Sequence, residues 1–331
     1  MDSRGPNYAE RVESERRAYK DNANVHDLPP ICFYWLNRYI LPQLARLGVE
    51  SADQFFLRNL RSAAERAGTR RKRFISIGAG NCDTEIRLAS GLLNAGIRDF
   101  VIDCLDLNEQ MLDRGRQSAA AQGLGQHINP LRGDFNAWEP ACDYDAVVAN
   151  QALHHVVELE RLFDAVERSL RPRGLLIASD MIGRNGHRRW PEALALVEEF
   201  WSELPESYRY NHQLRRQETA YPDWDCSLEG FEGIRSQDIL PLMLDRFPFQ
   251  FFYAFGNVTD PFTDRGFGPN FNADAEWDRS FIDRVHACDE REMLAGRLKP
   301  THMLAVLTRE PEGPLTCPDR MTPEFCVRPV R

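Results

Sequence analysis

The sequence predicts an α/β fold built on a mostly parallel sheet. From Arg73 onward, short apolar runs alternate with amphipathic helical segments, a rhythm typical of parallel strands joined by crossover helices. The first apolar run, FISIG, leads directly into the turn Gly78-Ala79-Gly80 and then into a helical segment. Sheets of this class bind their ligands at the carboxyl ends of the strands, so the turn predicts a ligand site there.

Residues 1–69 precede this rhythm and are predicted to form an N-terminal helical cap. The segment SADQFFLRNLRSAAERAG begins with Ser51 and Gln54 in capping-box spacing and closes at Gly68. The run before it, ICFYWLNRYILPQLARLG, is apolar, rich in aromatic residues and interrupted by Pro42.

Residues 70–185 are predicted to form the ligand-binding core. Its strands are FISIG, FVIDCLDL, the weaker HINPLRGD, YDAVVAN and GLLIASD. Helices are expected in TEIRLASGLLNAG, NEQMLDRGRQSAAAQ and ELERLFDAVERSL. The last helix should stop at Arg171-Pro172-Arg173-Gly174, because proline and glycine both terminate helices.

The rhythm changes after the core. Residues 186–235 are predicted as a substrate-side insertion, with the helix WPEALALVEEFWSEL and a polar, aromatic loop. Residues 236–310 contain a helix, SQDILPLMLDRF, and the strands FQFFYAFG and THMLAVLT, with a lid-like insertion over 257–299 between these strands. Residues 311–331 are rich in proline and are expected to form an irregular tail.

Composition excludes some classes of function. The 331 residues carry a formal net charge of −9, which disfavours nucleic-acid binding. The eight cysteines show no C-x-x-C and no zinc-like spacing. Neither an apolar leader nor a membrane-length apolar stretch is present, so we expect a cytoplasmic protein with no membrane partner.

The glycine turn by itself allows two interpretations. It could be a purely structural strand-to-helix turn, or it could bring backbone N–H groups close to a ligand. A dinucleotide fingerprint would have glycine at position 83, where Asp83 stands instead. Because a carboxylate repels a pyrophosphate, the turn favours a ligand without one.

Asp106 stands at the predicted end of the second strand, where a carboxylate can accept the ribose hydroxyls of a nucleoside. The alternative role is capping of the following helix. Because Asn108 can supply that cap, Asp106 is expected to serve a ligand.

Five segments together resemble the class I S-adenosylmethionine-dependent methyltransferases: FISIGAGN, CLDLNEQML, LRGDFNAW, YDAVVANQALHHV and LRPRGLLIASD. The resemblance covers about residues 73–182 and extends more loosely to the terminal strand pair. It implies a Rossmann-like sheet of seven mostly parallel strands flanked by helices, and S-adenosylmethionine as the cofactor.

The resemblance also implies a set of cofactor contacts. Gly78 and Gly80 would pass under the methionine part, with Ala79 between them. The ribose, adenine and sulfonium contacts would come from Asp106, Leu107, Asp134, Phe135 and Asn150.

Two positions depart from the family pattern. Ser76 replaces the usual acidic residue and is expected to serve the methionine part of the cofactor by a hydrogen bond to a backbone or amino group, without a charge. Cys82 replaces the usual third glycine and is expected to be small, buried and turned away from the ligand.

His154 and His155 follow the fourth strand and are the candidate catalytic residues. Either could act as a general base on an acceptor O–H or N–H, or the pair could simply turn the chain. Adjacent histidines are expected to point in different directions, so no metal site is predicted.

Candidate substrate contacts lie outside the predicted strands and helices of the core, and each has a structural alternative. Tyr34 is at helical spacing and could pack a cap helix, Arg184 could belong to a solvated basic loop, and Tyr210 and His212 could lie on a surface crossing. The size of these extra segments favours a largely enclosed small-molecule acceptor.

The function predicted from the sequence is therefore methyl transfer from S-adenosylmethionine to a small metabolite or natural product. One alternative is a lyase, cyclase or aminocarboxypropyl transferase that releases methylthioadenosine. The other is a noncatalytic binding protein that retains the fold. The aromatic N-terminal helices could cover the protein's own cofactor or swap onto a partner, which makes a homodimer an open prediction.

Overall fold

A sheet of seven strands forms the centre of the computed structural model, which describes residues 7–20 and 27–329. The strands are Lys72–Ile77 (β1), Phe100–Asp106 (β2), Ile128–Arg132 (β3), Tyr144–Asn150 (β4), Leu170–Met181 (β5), Phe249–Phe255 (β6) and His302–Thr308 (β7). Their spatial order is β3-β2-β1-β4-β5-β7-β6. The first five strands are parallel, and β7 runs antiparallel to both of its neighbours. The predicted fold class is confirmed.

Helices connect and cover the strands. In the described residues they are Tyr8–Lys20 (α1), Pro30–Trp35 (α2), Leu41–Arg46 (α3), Ala52–Arg66 (α4), Asp83–Asn94 (α5), Glu109–Ala121 (α6), Leu159–Ser169 (α7), Pro191–Glu203 (α8), Ser236–Arg246 (α9), Asp260–Thr263 (α10), Glu276–Leu294 (α11) and Pro323–Cys326 (α12). None of them has both the length and the apolar character that crossing a membrane requires.

Two apolar cores lie on opposite faces of the sheet, as the alternation of side chains along a strand requires. In β1, Phe74 belongs to one core, while Ile75 and Ile77 belong to the other. The first core also contains Phe55 of α4, and the second contains Phe163 of α7. Complete burial of side chains of this size contributes about 1.5–3 kcal/mol each, so these layers hold the strand ends in place.

The segment between β6 and β7 packs into the first core. Phe262 of α10 and Phe281 of α11 are fully buried there. Asp289 of α11 accepts hydrogen bonds from the backbone N–H groups of Asn257 and Thr259, at 2.9 and 3.1 Å. These contacts tie α11 to the segment that follows β6.

The chain after β7 adds backbone pairing at the edge of the sheet. The Phe252 N–H donates to the Thr316 carbonyl at 2.9 Å, and Thr316 donates in turn to the Gln250 carbonyl at 2.9 Å. Met321 and Cys326 are buried in the second core. The proline-rich tail is thus attached to the sheet while forming only one short helix in the described residues.

Candidate functional site

The glycine turn joins three strand ends. Gly78 and Gly80 have φ values of +70° and +53°, a left-handed conformation that favours glycine. The Gly78 N–H donates to the Leu105 carbonyl at 2.9 Å, which fixes the turn to the end of β2. A Cβ atom on Gly78 would lie 2.6 Å from Cβ of Ala152, in the turn after β4. The ends of β1, β2 and β4 therefore meet at this glycine.

Asp106 is held at the end of β2 by two backbone groups. Its Oδ2 accepts from the Gly80 N–H at 2.8 Å, and its Oδ1 accepts from the Asn108 N–H at 2.7 Å. Asn108 itself caps α6 by accepting from the N–H groups of Gln110 and Met111, as expected. Burial raises the pKa of Asp106. Each carboxylate oxygen keeps a second lone pair with which to accept a ligand hydroxyl.

Asp134 occupies the corresponding position after β3. Its Oδ1 accepts from the Asn136 N–H at 2.9 Å, and its Oδ2 accepts from the Tyr8 hydroxyl at 2.5 Å. The Tyr8 ring also packs on Phe231, with centroids 5.4 Å apart. Helix α1 therefore lies across the strand ends. Because α1 is charged on all sides, its sequence carried no signal for this placement.

Ser76 points to a carboxylate on α5. Its hydroxyl donates to Oε1 of Glu85 at 2.6 Å, rather than to a backbone or amino group. Burial raises the pKa of Glu85 to about 7. An acidic side chain thus lies beside Ser76, on α5 rather than on β1, and sequence analysis missed it. The available signal was an acidic residue in the first turn of an otherwise apolar helix face.

Cys82 is fully buried, as expected, and adopts a left-handed φ of +57°. A side chain in this conformation costs about 1–2 kcal/mol relative to glycine, which explains why the family pattern prefers glycine here. The cysteine is packed against α6, where a Cβ atom on Gly115 would lie 2.7 Å from its Sγ. The position is therefore structural and faces a helix.

His154, His155 and Glu232 form what we call the histidine cluster. His154 Nε2 lies 3.5 Å from Oε1 of Glu232, and His155 Nε2 lies 3.5 Å from Oε2 of the same carboxylate. The two imidazole rings are 4.2 Å apart. The expectation that adjacent histidines point in different directions is wrong here, because the 3₁₀ turn Leu153–His155 brings both rings to one side.

A carboxylate lies beside the other nitrogen of each ring. His154 Nδ1 is 2.7 Å from Oδ1 of Asp180, and His155 Nδ1 is 2.9 Å from Oε1 of Glu15 on α1. Both imidazole rings are therefore oriented with Nε2 toward Glu232.

Asp180, at the end of β5, also anchors the turn itself. Its Oδ2 accepts from the backbone N–H groups of Ala152 and Leu153, at 2.9 and 2.7 Å. Its Oδ1 accepts from the Met181 N–H at 2.8 Å in addition to His154. Burial opposes its ionisation, but His154 and these N–H groups hold the pKa of Asp180 below its ordinary value.

The charges in the cluster stabilise one another. Burial opposes the charged forms, yet Asp180 and Glu232 raise the pKa of His154 to about 10. Burial would likewise raise the pKa of Glu232, but His155 and the neighbouring histidines hold it well below its usual range. A third histidine, His187, lies with Nε2 2.8 Å from Oε1 of Glu232, and burial lowers its own pKa. Glu232 thus links three imidazoles, a role that no local sequence motif indicated.

The four candidate substrate residues bond to partners outside the histidine cluster. Tyr34 donates its hydroxyl to Asp283 of α11 at 2.8 Å. Arg184 donates to the Arg189 carbonyl at 2.8 Å and lies over the ring of Trp190.

The other two candidates lie on a small hairpin, Tyr210–Asn211 paired with Arg216–Gln217. The Tyr210 and His212 rings are 5.0 Å apart, and His212 Nε2 is 2.9 Å from Oδ1 of Asn270. This hairpin is therefore bonded to the segment between β6 and β7.

Comparison with known proteins shows a family match for the part of the chain that contains the glycine turn. Residues 75–176 match the sequence profile of a family described as "Methyltransferase domain". None of the curated proteins compared with the chain matches it.

Solved structures of similar shape include the O-methyltransferase from a trans-AT PKS multienzyme of Brevibacillus brevis, in complex with S-adenosyl-L-homocysteine. It is 15% identical, with 88% of this chain and 86% of that chain covered and a TM-score of 0.49. Another is the geranyl diphosphate C-methyltransferase from Streptomyces coelicolor A3(2). It is 11% identical, with 92% of this chain and 100% of that chain covered and a TM-score of 0.44.

The profile match spans the glycine turn, Asp106, Asp134 and both histidines. The strand order and the antiparallel seventh strand agree with the fold that the sequence motifs implied. Residues 75–176 are therefore a methyltransferase domain, and its cofactor is S-adenosylmethionine.

Proposed function

We propose that the protein methylates a small-molecule acceptor bound at the carboxyl ends of β4 and β5, beneath α1 and the loop that carries Glu232. The observation that carries this proposal is the gathering of His154, His155 and Glu232 directly after the β4 strand end. The ordered turn that holds both histidines is the same turn that contacts Gly78 through Ala152. A cofactor on the glycine turn and an acceptor at the cluster would therefore be neighbours.

The residues present fit the cofactor. Two carboxylates lie at the carboxyl ends of adjacent strands, Asp106 on β2 and Asp134 just after β3, and they suit a ribose diol and an adenine amino group. Leu107 and Phe135 supply buried apolar surface beside them. The glycine turn provides a cradle that a side chain would fill, since a Cβ atom on Gly80 would lie 3.1 Å from Cε of Met111.

We assign the remaining cofactor contacts to the turn and to β4. Gly78, Ala79 and Gly80 would pass under the methionine part, and Asn150 would face the sulfonium from the end of β4. Glu85 is the acid closest in role to the family's β1 residue, and Ser76 orients it through its hydrogen bond. When bound, S-adenosylmethionine supplies an electrophilic methyl group on its sulfonium.

The chain's own residues then align and shield the acceptor. Helix α1 contacts Asp134 through Tyr8 and lies beside His155 through Glu15, so it would exclude water from the strand ends. His155, with Glu15 beside its Nδ1, would accept the proton that a hydroxyl or amine acceptor loses, while His154 would stay protonated between Asp180 and Glu232. Tyr34, Arg184, Tyr210 and His212 stay proposals for more distant acceptor contacts.

The test is incubation of the purified protein with S-adenosylmethionine and a fractionated small-metabolite extract, with nucleosides and metabolites followed by mass spectrometry. We expect S-adenosylhomocysteine together with one metabolite that gains the mass of a methylene group. Asp106→Asn should reduce this product, while Asp99→Asn, at the opposite and exposed end of β2, should not. Methylthioadenosine above the rate without enzyme would replace methyl transfer by lyase or aminocarboxypropyl chemistry. Cofactor binding without either nucleoside product would indicate a noncatalytic protein.

A further inference from the structure

We propose that the histidine cluster is a binding site for a divalent transition-metal ion, held by Nε2 of His154, Nε2 of His155 and the carboxylate of Glu232. In the described part of the chain, one potential ligand atom from each of these three residues lies within 4.8 Å of the other two. The sequence analysis predicted no metal, on the premise that adjacent histidines diverge. That premise fails here, because both Nε2 atoms face one carboxylate.

The distances between Glu232 and the two histidine Nε2 atoms suit ligands of one ion better than groups that hydrogen-bond to each other directly. Each histidine Nε2 lies 3.5 Å from an oxygen of Glu232, which is long for a charge-assisted hydrogen bond. Two donor atoms bound at about 2.1 Å to a tetrahedral ion lie roughly 3.4 Å apart. The two distances between Glu232 and the histidines therefore already match those between ligands of one ion.

The surroundings also resemble those of a metal site. Ligating histidines almost always donate their other ring N–H to a carboxylate or carbonyl, which fixes the tautomer and the ring orientation. His154 has Asp180 at 2.7 Å from its Nδ1, and His155 has Glu15 at 2.9 Å. Each potential ligand thus has its own orienting carboxylate, supplied by β5 in one case and by α1 in the other.

Glu232 is oriented in the same way. His187 Nε2 lies 2.8 Å from its Oε1 and can hold that oxygen in place by donation. The Glu232 side chain is 37% exposed, whereas both histidines are buried, so the cluster opens to solvent on the Glu232 side. An ion could enter there, and its free positions would face the same side.

The donor set limits the choice of ion. Two imidazoles and one carboxylate suit zinc, iron(II), cobalt(II) or manganese(II), whereas magnesium and calcium prefer oxygen ligands. Three carboxylates, those of Glu15, Asp180 and Glu232, surround the two rings, and a dication beside neutral imidazoles offsets two of these negative charges, as two protonated imidazoles would. The competing state has protonated imidazoles paired with the same carboxylates.

An ion at this position would also narrow the acceptor class. It would coordinate an acceptor oxygen through its free position, which favours hydroxyl, enol or carboxylate compounds over amines and carbon nucleophiles. This consequence rests on the proposed function, and in the ion-bound state the coordinated Nε2 of His155 would no longer be the general base. Ion binding itself does not depend on the proposed function.

The test uses the full chain after treatment with a chelator. Cobalt(II) is titrated into it while visible absorption is recorded, and zinc(II) is titrated into a second sample in a calorimeter. We expect one equivalent to bind, with the intense visible bands of a low-coordinate cobalt(II) site. Glu232→Gln and His155→Gln should each weaken binding by more than about tenfold. Glu229→Gln, an exposed glutamate of the same loop, is the matched control and should bind like the wild type.

Absence of a wild-type equivalent, or equal binding by the wild type and both cluster variants, would overturn the proposal and leave a cluster of paired protonated histidines. Circular dichroism of each variant shows whether a loss of binding reflects unfolding. The same metal-free samples are also titrated with S-adenosylhomocysteine. This measurement distinguishes failure of the metal site from failure of the cofactor site.

Discussion

Asp180 allows a direct test of how the turn after β4 is held. Its side chain is fully buried and receives the N–H groups of Ala152 and Leu153 on one oxygen, and Met181 and His154 on the other. Asparagine has nearly the same shape but replaces one oxygen with an NH₂ donor. Whichever way the amide turns, that donor faces at least two other donors.

The expected cost follows from these contacts. A hydrogen bond to a charged group contributes about 1.5–3 kcal/mol, and Asp180→Asn removes at least two of them. The free energy of unfolding should therefore fall by about 3–6 kcal/mol, a large part of the roughly 5–15 kcal/mol that stabilises a domain. The imidazole of His154 would also lose its orienting carboxylate.

Urea unfolding followed by circular dichroism measures this change. Asp245→Asn, an exposed position in α9, is the control and should shift the free energy of unfolding by less than about 0.5 kcal/mol. If Asp180→Asn changes that free energy by less than about 1 kcal/mol, the assignment of Asp180 as the anchor of the turn is refuted.

Two further substitutions test the glycine turn and the buried acid. Gly78→Ala places a Cβ 2.6 Å from Cβ of Ala152, so it should weaken S-adenosylhomocysteine binding by about tenfold or more in calorimetry. Gly123→Ala, with φ +71° and open space around it, carries only the backbone strain and should leave that affinity unchanged. Burial raises the pKa of Glu85 to about 7 in the folded protein, against 4.5 in the unfolded chain. The wild type therefore loses stability as the pH rises between those values. Glu85→Gln removes this titration and should make the free energy of unfolding depend less on pH. The stability difference between this variant and the wild type should therefore grow by roughly 2 kcal/mol in favour of the variant from pH 5 to pH 8.

The predictions for Gly78 and Glu85 would be contradicted by different results. Equal cofactor affinity in the Gly78→Ala and Gly123→Ala variants would show that contact with the turn after β4 is unimportant for binding. A stability difference between Glu85→Gln and the wild type that stays constant over the same pH range would show that Glu85 titrates normally in the folded protein.

The sequence allowed the strand-end residues to be predicted because their positions follow from local pattern and topology. Asp106 ends β2 and Asp134 lies two residues beyond the end of β3, and parallel strands bring their carboxyl ends to one edge of the sheet. Asn108 caps a helix two residues after Asp106, an interaction within one short segment. Such features depend on spacing alone.

The contacts that the sequence did not reveal join distant segments. Glu232 lies on an irregular loop with no periodic pattern, and its approach to His154 and His155 depends on how that loop packs. Tyr8 reaches Asp134 across 126 positions of the chain. Local spacing carries no information about such pairs, so the histidine cluster and the placement of α1 appear only in three dimensions.

The central claim is that the carboxyl edge around Asp106 holds the S-adenosyl cofactor, and calorimetric titration with S-adenosylhomocysteine tests it most directly. We expect one molecule to bind per chain. Asp106→Asn should lower the affinity roughly tenfold to hundredfold, and Asp99→Asn should leave it unchanged. A folded wild-type protein that does not bind the nucleoside, or one that binds it equally well without the Asp106 carboxylate, would contradict the account.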